Sequence, residues 1–174
     1  PFLLSGTHRA PGERMNPIDA VFEAQSGFTT TGATVLTDLE QRDLVSRCIL
    51  FWRSSTHFLG GLGIIVLFVA ILGQGSAGKA LMRAEMPGPS HESGHARIQQ
   101  TAWTLFFVYS GLNLLLTVIL LAEGLSLFDA LCHAFGAMAT GGFSTYNASV
   151  GHFATDPAYN GPLIEMTLTL FMFL

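Results

Sequence analysis

Three features of this sequence carry residue types that can do chemistry. Residues 91–95 read HESGH, the spacing that puts two His on one helical face to bind zinc while the Glu serves as general base. His91 and His95 are thus candidate zinc ligands and Glu92 the candidate base of an intramembrane protease. Residues 73–78 read GQGSAG and fit G-x-G-x-x-G, which cradles a dinucleotide when it follows a strand and opens a helix. The third feature is a pair of Thr and Gly segments, FTTTGATV at 28–35 and ATGGFST at 139–145. Their carbonyls and hydroxyls are the hard oxygen donors that can replace the hydration shell of a cation.

Context separates the three. HESGH follows MPGP in a polar linker, Ser93 and Gly94 weaken the helix that must align the two His, and no third ligand stands out. A solvated loop is the expectation there, with zinc proteolysis as the alternative. Asp19 in NPIDA also lacks the following Gly of intramembrane metalloproteases. GQGSAG is preceded by an apolar run too long for a strand and reads as a flexible helix exit.

The elements that must position these residues belong to a membrane. Among 174 residues, 49% are apolar and only 11% charged, against roughly 25% charged in soluble domains. Residues 54–78 and 98–122 carry no Asp, Glu, Lys or Arg, and about 20 helical residues cross a hydrocarbon core of roughly 30 Å. Full spans are expected from Cys48 to Gly73 and from Ile98 to Ala122. Eight scattered Lys and Arg in a net charge of -4 exclude a nucleic-acid surface and a polybasic lipid site. Cys48 and Cys132 form neither a disulfide framework nor a metal set and read as small buried residues. The chain starts at PFLLSG and stops in MTLTLFMFL, which reads as a fragment cut through membrane segments at both ends.

An internal repeat ties the Thr and Gly segments to these elements. A shift of 110 residues lays IDAVFEAQSGFTTTGATV over FDALCHAFGAMATGGFST, matching Asp19 with Asp129, Thr30 with Thr140, Gly32 with Gly142 and Thr34 with Ser144. Each unit has an acidic residue read as the N-cap, a short apolar helix and then the Thr and Gly loop. A helix of about ten residues cannot span. Non-helical backbone at membrane depth is tolerated only in protein or along a water-filled path, so a cavity is implied. The negative end of each helix and the carbonyls that follow favour a cation there. Asp19 and Asp129 are assigned to capping these helices. Arg53 is expected to snorkel or to pair with a neighbouring helix, and His57 and His133 to bond neighbouring helices rather than carry protons. Glu23, opposite His133 in the repeat, is read either as tuning the field at the pore mouth or as a headgroup or helix contact. Gly60, Gly61 and Gly63 thin the first span for close packing or a bend.

The segments SGFTTTGATV, FWRSSTHFLGGLGIIVLFVAIL, RAEMPGP and FDALCHAFGAMATGGFST resemble the TrkH-like membrane subunits of bacterial Trk/Ktr potassium uptake systems. The resemblance implies an all-α polytopic membrane protein of tandem helix, re-entrant pore loop and helix modules, with two pore loops present of an expected four. Residues 1–47 would hold the end of an entry helix, an outer loop and the first pore helix and filter loop. Residues 48–73 would be the first exit helix, 74–97 a cytoplasmic linker and 98–123 the second entry helix. Residues 124–159 would supply the second pore helix and filter loop, and 160–174 the start of its exit helix. Carried onto this sequence, the filter comprises Thr30, Thr31, Gly32, Ala33 and Thr34, with Thr140, Gly141, Gly142, Phe143 and Ser144. Neither loop has the TVGYG pattern of tetrameric potassium channels, which leaves room for less strict selectivity over sodium. The resemblance further implies transported K+ without a cofactor or enzymatic step, a homodimer, a cytoplasmic nucleotide-binding regulatory subunit, and a multi-pass place in the lipid of the bacterial cytoplasmic (inner) membrane.

Overall fold

The computed structural model describes residues 15–41, 45–73 and 93–174, and among these the side chains outside 68–99. All the regular secondary structure of the described residues is helical: α1 (Pro17–Phe28), α2 (Arg47–Gly73), α3 (Ser93–Ala122), α4 (Leu127–Met138), α5 (Gly151–Thr155) and α6 (Gly161–Met172). Two stretches, Arg47–Leu67 and Gln100–Ala122, are long and apolar enough to cross a membrane. They overlap the spans expected from Cys48 to Gly73 and from Ile98 to Ala122. Helix α3 begins five residues before Ile98, so Ser93 and Gly94 open a helix instead of lying in the polar loop. The single turn α5 was not foreseen within 124–159.

The short helices start one turn earlier than the sequence suggested. Asn16 caps α1, its side chain accepting from the Ile18 amide, with Pro17 at the first helical position. Proline fits there because its missing N–H would have had no helical partner. Ser126 caps α4, accepting from the Asp129 amide. Asp19 and Asp129 are thus first-turn residues and not the caps assigned to them. Asp129 completes a reciprocal cap, its carboxylate accepting from the Ser126 hydroxyl at 2.7 Å.

The chain forms two compact units, Pro1–Gly61 with Gly111–Leu174, and Leu62–Ser110. The first holds both short helices and both Thr and Gly loops. Its first module packs Met15, Ala20, Leu36, Leu39, Val45, Ile49 and Leu50 into one buried cluster. The second module builds another from Leu116 and Leu120 of α3, Ala130, Ala134 and Ala137 of α4, and Ile164, Leu168 and Phe171 of α6. Small residues let α2 lie close against α1. A Cβ at Gly27 would stand 2.0 Å from Thr56 Oγ1, and one at Gly60 would stand 2.3 Å from the Phe28 carbonyl oxygen. Gly63 meets nothing within 4 Å among the described residues, so the close approach found is the one at Gly60. Cys132 is buried but Cys48 is exposed, against the expectation for the latter: Cys48 falls on a helix face that no described element covers. In the second unit, Trp103 packs on Phe106 and Phe107 while remaining about half exposed.

Candidate functional site

Each short helix ends in the same way. Thr30 N–H bonds the Gly27 carbonyl at 3.1 Å and Thr31 N–H bonds that of Ser26 at 3.0 Å; 110 residues later Thr140 bonds Ala137 at 2.9 Å and Gly141 bonds Gly136 at 2.9 Å. This crossed pair is the Schellman ending, which requires a left-handed residue just past the helix. Thr30 and Thr140 take that place with φ of 56° and 51°, and Gly32 and Gly142 follow at 73° and 81°. Positive φ is natural for glycine but costs a β-branched residue about 1–3 kcal/mol. The strain recurs at equivalent positions, so it belongs to the loop design.

Beyond this turn the residue at the seventh position of each short helix holds the loop. In the second module His133 Nδ1 contacts the Asp129 carbonyl at 2.7 Å and Nε2 contacts the Ser144 hydroxyl at 3.0 Å. A carbonyl only accepts, so Nδ1 carries a proton, and in the neutral ring Nε2 then accepts from Ser144. Ser144 Oγ in turn accepts from the Tyr146 amide at 3.1 Å. In the first module Glu23 replaces His133. Its Oε1 accepts from the Thr34 hydroxyl and from the Val35 amide, and Thr34 Oγ1 accepts from the Leu36 amide at 3.1 Å. The same hydroxyl relay is built with a carboxylate in one module and an imidazole in the other. Asp129 braces the second loop further through the Thr145 hydroxyl at 2.7 Å and the Tyr146 hydroxyl at 3.2 Å.

Glu23 also meets Arg53 of α2, Nε to Oε2 at 3.2 Å with both side chains essentially fully buried. Of the two fates expected for Arg53, pairing with a neighbouring helix is the one found, and Glu23 makes that helix contact instead of a headgroup one. The guanidinium lies 4.0 Å from the Phe143 ring centroid. His57, one turn on, stacks on the same ring at 4.1 Å and 15°. Neither ring nitrogen of His57 has a hydrogen-bond partner among the described residues, so its expected bond to a neighbouring helix is replaced by stacking. His133 likewise bonds its own helix and loop.

The two loops meet directly. A Cβ on Gly32 would stand 1.7 Å from the Gly141 carbonyl oxygen, so Gly32 is demanded by space as well as by φ. Farther along, Asn147 fastens one loop to the other: its Oδ1 accepts from the Leu39 amide at 2.7 Å, its Nδ2 donates to Asp38 at 2.8 Å, and its amide donates to Glu40 at 3.0 Å. The Asn147 side chain beside Asp38 holds that carboxyl below the usual carboxylate range.

The sequence-predicted residues Thr30 to Thr34 and Thr140 to Ser144 therefore fall in two adjoining loops of one unit. Within them Phe143 turns its ring into the first module, and the hydroxyls of Thr34 and Ser144 are engaged by Glu23 and His133. Asn147 and the partnership of Arg53, Phe143 and His57 escaped sequence reasoning, because contacts more than 80 residues apart leave no local signal. His91 and Glu92 lie outside the described residues, as does most of GQGSAG, and His95 lies on α3 with its side chain undescribed. Among the described residues no three His, Cys, Asp or Glu side chains form a metal set.

A family model described as TrkH, cation transport protein, matches residues 3–174. The Trk system potassium uptake protein TrkH of Halomonas elongata is 45% identical over 155 residues, covering 88% of this chain and 30% of that protein. The Trk system potassium uptake protein TrkG of Escherichia coli K12 is 42% identical over 159 residues, covering 90% of this chain and 31% of that protein. The crystal structure of the potassium transporter TrkH from Vibrio parahaemolyticus matches with a TM-score of 0.69 and 36% identity, over 91% of this chain and 29% of that one. The chain thus spans about 30% of the length of the curated relatives it matches. The zinc-protease alternative finds no support among these proteins.

Proposed function

This chain belongs to the TrkH family of cation transport proteins, and from that premise we propose that it supplies two quarters of a potassium uptake pore in the bacterial cytoplasmic membrane. Thr30 to Thr34 form one filter segment and Thr140 to Ser144 the next, each re-entering the membrane after a half-length helix. The observation that carries this reading is the left-handed backbone repeated at Thr30 and Gly32 and at Thr140 and Gly142. Alternation of left-handed and ordinary residues turns successive carbonyls toward one side, where they take the place of water around a dehydrated cation. The carboxyl ends of α1 and α4 add their negative partial charge to that site.

No bond is made or broken in such passage. The task is to match the hydration energy of K+ with fixed oxygens while leaving the ion free to move on. Glu23 with Thr34, and His133 with Ser144, tie the far end of each segment to its helix so that the oxygens do not collapse inward. The relatives are potassium uptake proteins by name, and this chain is read as acting within a longer protein of the same kind. That protein works as a homodimer with a cytoplasmic nucleotide-binding regulatory subunit.

The test replaces Gly32 and Gly142, one at a time, with Val in the complete transporter and follows rubidium uptake in cells lacking other potassium uptake. A β-branched residue at φ above 70° strains the loop by about 1–3 kcal/mol, and at Gly32 its Cβ would also meet the Gly141 carbonyl oxygen. Uptake falls by about tenfold or more at normal membrane abundance, the effect of roughly 1.4 kcal/mol. Unchanged uptake in both variants refutes the pore. His91→Ala in the same protein leaves uptake intact; loss of bound zinc from that variant would instead favour the protease.

A further inference from the structure

The second filter segment leans on a side chain from the first module. The direction in which a Cβ would leave Gly141 runs into the His57 imidazole, 2.4 Å from both Cε1 and Nδ1. Gly141 is not among the residues with positive φ, so what demands glycine here is the ring and not the backbone. The carbonyl oxygen of the same Gly141 abuts Gly32 of the other loop. His57 thus stands at one end of a short mechanical chain, imidazole to Gly141 to Gly32, that fixes how far apart the two segments lie. Its ring is held flat by stacking on Phe143 at 4.1 Å. Phe143 is in turn covered by the Arg53 guanidinium, 4.0 Å from its ring centroid. A buried imidazole with neither nitrogen hydrogen-bonded among the described residues is a costly choice where a packing residue alone would serve. A flat, compact ring fits the slot between Phe143 and Gly141, which a branched aliphatic side chain would fill less evenly.

We propose that His57 is a specificity-determining positioning residue, which sets the spacing of the two filter segments by wedging its ring between Phe143 and Gly141. This rests on the pore reading above. It touches no ion; it acts through Gly141. In the first module the positions equivalent to Gly141 and Phe143 are Thr31 and Ala33, which supply neither the clearance nor the ring. The wedge is therefore a feature of this one junction and not a consequence of the repeat.

The experiment uses the complete transporter carrying His57→Ala, Gly141→Ala or both, and measures the KM for rubidium and the ratio of sodium to rubidium uptake at matched membrane abundance. His57→Ala lets Gly141 relax, raising the rubidium KM and the sodium ratio by about tenfold, which is roughly 1.4 kcal/mol, while maximal flux changes little. Gly141→Ala alone collapses uptake because its Cβ meets the ring. The double variant regains the uptake of His57→Ala, since the vacated slot accepts the new methyl. A wild-type KM and ion ratio in His57→Ala, or a double variant no better than Gly141→Ala, overturns the proposal. Should His57→Ala be lost from the membrane, His57→Leu, which keeps most of the volume but cannot stack flat, is measured in its place with the same criteria. If the Gly32 and Gly142 variants abolish uptake while the His57 series is silent, only the wedge falls; if those glycine variants are silent, the pore itself falls.

Discussion

Removing one side of the buried ion pair is the sharpest test of how the first module is held. Arg53→Met keeps a long apolar stem over Phe143 but leaves the Glu23 carboxylate buried with two donors, Thr34 and Val35, in place of three. At an effective dielectric of about 20, charges 3.2 Å apart interact by about 5 kcal/mol. Measured losses on breaking buried pairs run at about 3–5 kcal/mol, so the two scales agree. Arg53→Met should lower the apparent melting temperature of the purified transporter sharply, read as folded protein surviving a heat step on size exclusion. The Glu23→Gln, Arg53→Met double variant removes both charges, and the amide oxygen introduced in place of the carboxylate can still accept from Val35. It should recover about 2–4 kcal/mol relative to Arg53→Met, a strongly non-additive result. If Arg53→Met is as stable as the parent, or the double variant is no better than the single one, the pair does not hold the module and the reasoning fails.

Three further outcomes follow from other contacts. Gly60→Ala drives a methyl to 2.3 Å from the Phe28 carbonyl oxygen whereas Gly63→Ala meets nothing within 4 Å among the described residues; the first should lose about 1–3 kcal/mol on overpacking, the second should match the parent, and equal melting curves would contradict the packing of α2 on α1. Thr30→Gly relieves the left-handed strain at φ 56° and should raise thermal stability by about 1 kcal/mol while weakening rubidium over sodium discrimination, so a destabilised Thr30→Gly would show that the turn is not strained. Asp38 has its carboxyl lowered by the Asn147 side chain from the ordinary 3.8, so its share in joining the loops is complete above that value and disappears as pH falls through the lower folded value. Pepsin should begin to cut near Leu36 and Leu39 only in that acid window, and Asn147→Ala should be cut above it as well.

The composition of the chain determined its membrane character, and two uncharged runs fixed the long helices to within a few residues, because the thickness of a bilayer imposes length on any span. The shift of 110 residues likewise located both short helices and both Thr and Gly loops, since the same backbone turn demands similar residues twice. The caps were misassigned by three residues because Asp at the third helical position and Asp at the cap leave nearly the same local pattern; only the Asn16 and Ser126 bonds distinguish them. What no window of sequence contained was the junction between the modules. Arg53 and His57 look like isolated polar residues in an apolar run until Phe143, about 90 residues away, is brought onto both of them. Gly141 looks like a conformational glycine until the imidazole occupies the place of its side chain. Such partners are chosen by the closing of one loop against another, and a local sequence pattern carries information only about neighbours that the backbone itself keeps close.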